Sequence, residues 1–218
     1  MPSESNKLEA ANPGILSQEP TQVIRPTPMK IYNVEDIHSM SWTEYGVALD
    51  VLLKKIQASG LLFDAIAPIL RSGAIPGSAL AINLRITKII PLQFKHLRHP
   101  ARLESMLPMP ALLQKLPEAP AILICENNTS SGDTAQAAIH LLKKHFPASK
   151  LYYATVAKVF GGPNSFAGIE EYFFGVLTNE RFIATQDEIT KFGLRPGVTL
   201  FPWEAAQDEL TEMNQTSN

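Results

Sequence analysis

Between positions 121 and 146 the chain reads AILICENNTSSGDTAQAAIHLLKKHF. An apolar run, Ala121–Cys125, meets a carboxylate at Glu126; a turn of Thr129, Ser130, Ser131, Gly132, Asp133 and Thr134 follows, and then a helix-forming segment. A strand that feeds a helix through such a turn presents unpaired backbone N–H groups and the positive end of the helix dipole to an anion. The Ser and Thr hydroxyls add donors to the same cup, and Gly132 lets backbone approach a ligand closely. Glu126, just ahead of the turn, is suited to accept hydrogen bonds from sugar hydroxyls beside a bound phosphate. An ordinary loop that merely caps a helix accounts for one or two of these polar positions. It does not account for four hydroxyls, a glycine and a carboxylate within nine residues. The chemistry expected of this stretch is sugar-phosphate binding.

Such a cup needs a rigid frame. Strand 121–126, helix 133–146 and strand 150–158 form a βαβ crossover, which places the turn at the end of a parallel sheet. Upstream, Trp42–Gln57 carries Tyr45, Leu49, Leu52, Leu53 and Ile56 at helical spacing. Ser41 is its expected N-cap, with Glu44 completing a capping box. Phe63–Leu70 reads as a buried strand, Arg71-Ser72-Gly73 as a turn, Pro76–Leu84 as a helix and Thr87–Pro91 as a further strand. The fold class that follows is α/β, a parallel sheet flanked by helices. Residues 92–120 hold five prolines and the basic cluster Lys95, His96, Arg98, His99 and Arg102, and read as a long irregular excursion. Residues 1–29, rich in Pro, Ser, Asn, Gln and Glu, read as a disordered tail; residues 30–218 read as one domain.

Composition bounds the partners. The net charge of −2 gives no electrostatic case for nucleic acid or an anionic membrane as a partner. No run approaches the roughly 20 apolar residues of a membrane span, and the first residues show neither the basic start nor the apolar h-region expected of a secretory signal. The single cysteine, Cys125, excludes an internal disulfide framework and fits a core position in a reducing compartment. A cytoplasmic location is expected. The five histidines show no metal-ligand spacing, and no Ser-His-Asp arrangement can be assembled.

The segment ILICENNTSSGDT resembles the phosphoribosyl-pyrophosphate signature of type I phosphoribosyltransferases. It matches at Ile122–Glu126 and Ser130–Thr134; Asn127 stands where the family has a second carboxylate, and Asn128 and Thr129 replace apolar residues. A second stretch, LFDAIAPILRSGAIPGSALAINLRI (61–86), is similar to the family's pyrophosphate loop and the helix after it. There Arg71, Gly73, Pro76, Gly77, Leu80, Ala81 and Leu84 fall where the bacterial xanthine–guanine (6-oxopurine) branch would place them, and Ser72 replaces a glycine. The resemblance implies transfer of ribose 5-phosphate from phosphoribosyl pyrophosphate to a nucleobase, perhaps a purine, by a Mg²⁺-dependent homodimer. It implies a 5-phosphate site at Ser130, Ser131, Gly132, Asp133 and Thr134, and a pyrophosphate site at Arg71, Ser72 and Gly73. Glu126, Asn127 and Ser130 are the implied catalytic positions, Lys158 and Val198 the base contacts, and Lys95, Arg98 and Arg102 a mobile loop. The ion would arrive on the substrate, near Glu126. A small C-terminal hood is implied near 165–205, closing on Phe201-Pro202-Trp203-Glu204. Many purine enzymes of the family carry an aspartate at the Ser130 position, and Val198 replaces the aromatic residue that would stack on a purine. A nucleotide-binding regulatory protein of the same fold, without chemistry, is therefore the alternative.

Overall fold

The computed structural model describes Arg25 and residues 31–98, 101–112 and 115–216; the expected tail of residues 1–29 lies outside them except for Arg25. A short 3-10 turn, Val34–Asp36, leads into β1 (Ile37–Ser39) and α1 (Trp42–Ala58). Then come β2 (Ala65–Leu70), α2 (Ala74–Asn83), β3 (Leu92–Arg98), β4 (Ala101–Ser105) and β5 (Ala121–Thr129). The chain continues through α3 (Asp133–His145), β6 (Lys150–Val159), β7 (Ile169–Thr178), α4 (Gln186–Phe192), β8 (Val198–Leu200) and α5 (Ala206–Thr216). No helix among the described residues is long and apolar enough to cross a membrane.

Six strands form the central sheet in the order β4-β3-β2-β5-β6-β7, parallel except for the antiparallel β3–β4 pair. The near-continuous burial of β2 and β6 fits strands covered on both faces. Ile122 and Ile124 point toward the cluster around α3, with Ala135, Ala138, Ile139 and Leu142. Leu123 and Cys125 point the other way, toward Tyr45, Leu52 and Ile56 of α1 and Leu80 of α2. Cys125 is a buried free thiol whose pKa burial drives up, as a core role requires. Helix α1 starts as its sequence dictates: Ser41 Oγ accepts from the Glu44 amide, and the Glu44 carboxyl accepts from the Ser41 amide. Tyr45, Ala48, Leu52 and Ile56 recur at intervals of three and four on its buried face. Full burial of Leu52 and Ile56 contributes roughly 2–3 kcal/mol each.

Three stretches differ from expectation. Residues 92–105 are not irregular: β3 and β4 pair in register, Phe94 with Ser105 and Lys95 with Glu104. Here the apolar residues Leu92 and Phe94 alternate with polar ones, and Arg102 and Glu104 sit on the edge strand β4, where charges discourage pairing with another sheet. The strand expected at Thr87–Pro91 contributes only a bridge, Ile66 to Ile89, and regular pairing begins at Leu92. Within the stretch expected to form the hood, β7 is instead the sixth strand of the central sheet. The separate two-stranded sheet pairs β8 with β1, Ile37 against Val198, and so draws on both ends of the described chain. The aromatic step Phe201, Trp203 packs against Tyr45 at centroid distances of 6.1 and 5.0 Å.

Candidate functional site

The parallel strands β2, β5 and β6 are neighbours, so the loops that follow them open side by side at one edge of the sheet. In open α/β sheets that edge is where ligands bind. The loop after β5 is the turn at which an anion cup is expected from the sequence. Gly132 is the N-cap of α3, with φ at +84°, a left-handed value that a side chain disfavours. Its carbonyl accepts from the Gln136 amide at 2.9 Å. The amides of Gly132 and Thr134 have no protein partner among the described residues. Unspent N–H groups at a helix start are what a phosphate requires. Ser130 and Ser131 are exposed and Thr134 is half-buried. Asp133 is exposed too, and its carboxylate accepts the Ser131 hydroxyl at 3.0 Å, so that hydroxyl is partly engaged and the cup carries a negative charge of its own.

The loop after β2 holds Arg71, exposed, and Ser72, half-buried, with a cis peptide between Leu70 and Arg71. The Arg71 and Ser72 amides have no protein partner among the described residues, whereas the Gly73 amide is used by the Ile69 carbonyl at 2.9 Å. A β-carbon on Gly73 would lie 2.4 Å from the Ile69 oxygen and 2.7 Å from the Cys125 oxygen. Only glycine lets this loop close onto β5, next to Glu126.

Glu126 lies within β5, which extends to Thr129. Its carboxylate accepts a hydrogen bond from the Tyr153 hydroxyl, and Thr129 Oγ1 lies 2.8 Å from the same Tyr153 oxygen. Burial pushes the Glu126 pKa up to about 7, against the lowering effect of those hydroxyls. Tyr153 is fully buried, with its ring 5.1 Å from Phe166 and 5.0 Å from Tyr172. Replacing Tyr153 by Phe keeps that packing and removes one donor. The Glu126 pKa is then expected to rise further, at a cost of roughly 1–2 kcal/mol in stability. A ¹³C titration of the Glu126 carboxyl reads the first effect; an unmoved midpoint would refute the pairing.

Asn127 is 2% exposed, and its Oδ1 has no partner among the described residues. Asn128 donates from Nδ2 to both oxygens of Glu180, at 3.1 and 3.3 Å. Glu180 follows β7 and is buried; burial raises its pKa to about 7, opposed first by the Asn128 bond and then by the Thr199 amide. The Thr178 and Thr199 hydroxyls lie beside the same carboxyl without forming hydrogen bonds of good geometry. Glu180 therefore joins the ends of β5 and β7 to β8.

The remaining expected residues stand apart. Lys158, on β6, is 1% exposed; its ammonium donates to the Asn164 side chain and lies 5.0 Å from the Phe174 ring. Val198 is 3% exposed and packs with Tyr32 and Leu210. Lys95 and Arg102 are exposed on the β3–β4 hairpin, and Arg98 closes β3. Tyr153, Glu180 and Arg181 carry no motif in the sequence. Arg181, half-buried, donates from Nη2 to the Ser130 carbonyl at 3.0 Å and from Nη1 to the Gly161 carbonyl at 3.1 Å. Only the order of strands brings them here.

No protein-family model matches this chain, and no curated protein matches it. Solved structures do. A purine phosphoribosyltransferase from Pyrococcus horikoshii Ot3 superposes with a TM-score of 0.56 at 20% identity, over 78% of this chain and 95% of that one. The Helicobacter pylori xanthine-guanine-hypoxanthine phosphoribosyltransferase gives 0.54 at 15%, over 81% and 97%. A hypothetical protein from Neisseria gonorrhoeae, solved with bound ppGpp, gives 0.56 at 17%, over 86% and 100%. The chain thus has the α/β fold of the type I phosphoribosyltransferases, with a mostly parallel sheet flanked by helices.

Proposed function

We propose that this protein is a phosphoribosyltransferase, moving ribose 5-phosphate from phosphoribosyl pyrophosphate to a nucleobase with release of pyrophosphate. One observation carries the reading: two loops with unspent backbone amides, at Gly132 and Thr134 and at Arg71 and Ser72, follow the adjacent strands β5 and β2. That pairing suits a ligand with an anion at each end. The 5-phosphate lies on Ser130–Thr134, and the pyrophosphate on Arg71 and Ser72 with the Arg71 guanidinium as charge partner. Glu126 reaches the ribose hydroxyls. Positive charge develops on the sugar as negative charge leaves with pyrophosphate, so catalysis is positioning plus electrostatic stabilisation.

Successive side chains of β5 point to opposite faces of the sheet, so the orphaned Asn127 oxygen and the Glu126 carboxyl do not converge, and Glu126 alone is a thin oxygen donor set. It suits a Mg²⁺ ion that arrives on the substrate's diphosphate and keeps several waters. When bound, the ion neutralises the leaving group. The enzyme works in the cytoplasm as a homodimer in this reading. A purine is the favoured base, with Lys158 and Val198 as its contacts; both must become accessible to it.

Incubation with phosphoribosyl pyrophosphate and a panel of bases is expected to release pyrophosphate with at least one base. Absence of turnover with every base would defeat the assignment. A second reading, a nucleotide-binding regulator without chemistry, draws on Asn127, on Ser130 and on the Glu126 carboxyl being held by Tyr153. The ppGpp bound in the Neisseria gonorrhoeae structure shows that a protein of this fold holds such a ligand. Calorimetric binding of a nucleotide without turnover would select that reading.

A further inference from the structure

The anion cup lacks a cation of its own. Ser130–Thr134 contain none, and Asp133 places an exposed carboxylate among them. A helix N-terminus supplies only about half a unit charge, too little to offset that carboxylate and a phosphate dianion together. Lys158 is committed to Asn164. Among the described residues, Arg181 is a cation in contact with the cup.

We propose that Arg181 is a binding residue of this cup, supplying the fixed positive charge for a phosphate monoester dianion. This deepens the function proposed above and rests on the same site. Three observations support it. The guanidinium spans two loops, bonding Ser130 on one side and Gly161 on the other. Those loops are already pressed together: a β-carbon on Gly162 would lie 2.8 Å from the Ser130 oxygen. No carboxylate among the described residues forms an ion pair with Arg181. The carboxyl nearest in sequence, Glu180, is turned to Asn128. The two bonds engage one N–H from each terminal nitrogen, leaving the other donors of the planar fork for an incoming oxygen. The two carbonyls are neutral acceptors, so the net charge of the guanidinium stays uncompensated beside the cup.

The test compares the full-length wild type with Arg181→Lys and Arg181→Gln, measuring binding of ribose 5-phosphate by calorimetry at low and high salt. The glutamine variant is expected to bind at least tenfold more weakly, with a flatter salt dependence. The lysine variant, which keeps the charge but cannot bridge both carbonyls, is expected to stay within about threefold of wild type. Equal losses in the two variants would make Arg181 a structural clasp and overturn the assignment, as would unchanged affinity in both. A wild type that binds ribose 5-phosphate and shows this split, yet releases no pyrophosphate from phosphoribosyl pyrophosphate with any base, would sink the transferase reading and uphold Arg181. A wild type that does not bind ribose 5-phosphate would remove the site and Arg181's role in it together.

Discussion

Substitution of Gly132 by valine is expected to abolish ligand binding at the cup and to lower stability by about 2–6 kcal/mol. Two costs add. The residue has φ at +84°, where a β-branched side chain costs about 1–3 kcal/mol. The new β-carbon would also lie 2.4 Å from Phe166 Cε1, 2.8 Å from Cζ and 3.2 Å from Pro163 Cγ. Phe166 cannot swing aside, since its ring is 7% exposed and packed against Tyr153 and Tyr172. Crowding of that kind costs about 1–3 kcal/mol more. The loop must move instead, and its amides then no longer converge on one point. Calorimetry with ribose 5-phosphate should show at least a hundredfold loss; a variant binding as wild type does would show that Ser130–Thr134 is not the phosphate site.

The second large effect concerns pH. Glu180 holds its proton up to about pH 7 in the folded state, against an ordinary value of 4.5. The native state therefore binds more protons than the unfolded chain between those limits, and stability falls as pH rises through them. The effect is complete above pH 7 and absent below 4.5. Its size is on the order of 3 kcal/mol, from about 1.4 kcal/mol per pH unit. Glu126, also raised to about 7, adds a loss of the same sign in the same window. The Glu188 carboxyl, held down to about 2 chiefly by Arg25, acts with the opposite sign and only below 4.5. Wild-type melting temperature should thus drop between pH 5 and pH 8. Glu180→Gln, neutral throughout and able to face Asn128 and Thr199, should show roughly half that drop and exceed wild type at pH 8. Identical slopes in the two proteins would refute a buried, proton-holding Glu180.

How far such features can be read in advance depends on how local they are. The Ser41–Glu44 box, the glycine before α3 and the crossover from β5 to β6 involve residues close in the chain, so residue type alone announces them. The β3–β4 hairpin was hidden by Pro100 and the basic residues around it, which mimic a solvated loop. The alternation of Leu92 and Phe94 with polar residues is its one local mark of a strand. Glu180 and Arg181 meet β5 across some fifty positions of sequence (Asn128 to Glu180, Ser130 to Arg181). Tyr153 reaches Glu126 only because β6 lies beside β5. No window of sequence contains both partners of such contacts, and only strand order reveals them. Asn127, by contrast, was visible as a departure from the family pattern; its burial was not.

The pairing of Ile37 with Val198 also dictates an order of events during synthesis. Residues 37–39 leave the ribosome early, yet their ribbon cannot close until residue 200 has emerged. Because a contact between such distant segments carries a large chain-closure cost, it forms after the local βαβ units have assembled. Thr199 then arrives beside Glu180, so the polar junction among β5, β7 and β8 is completed only once β8 has emerged.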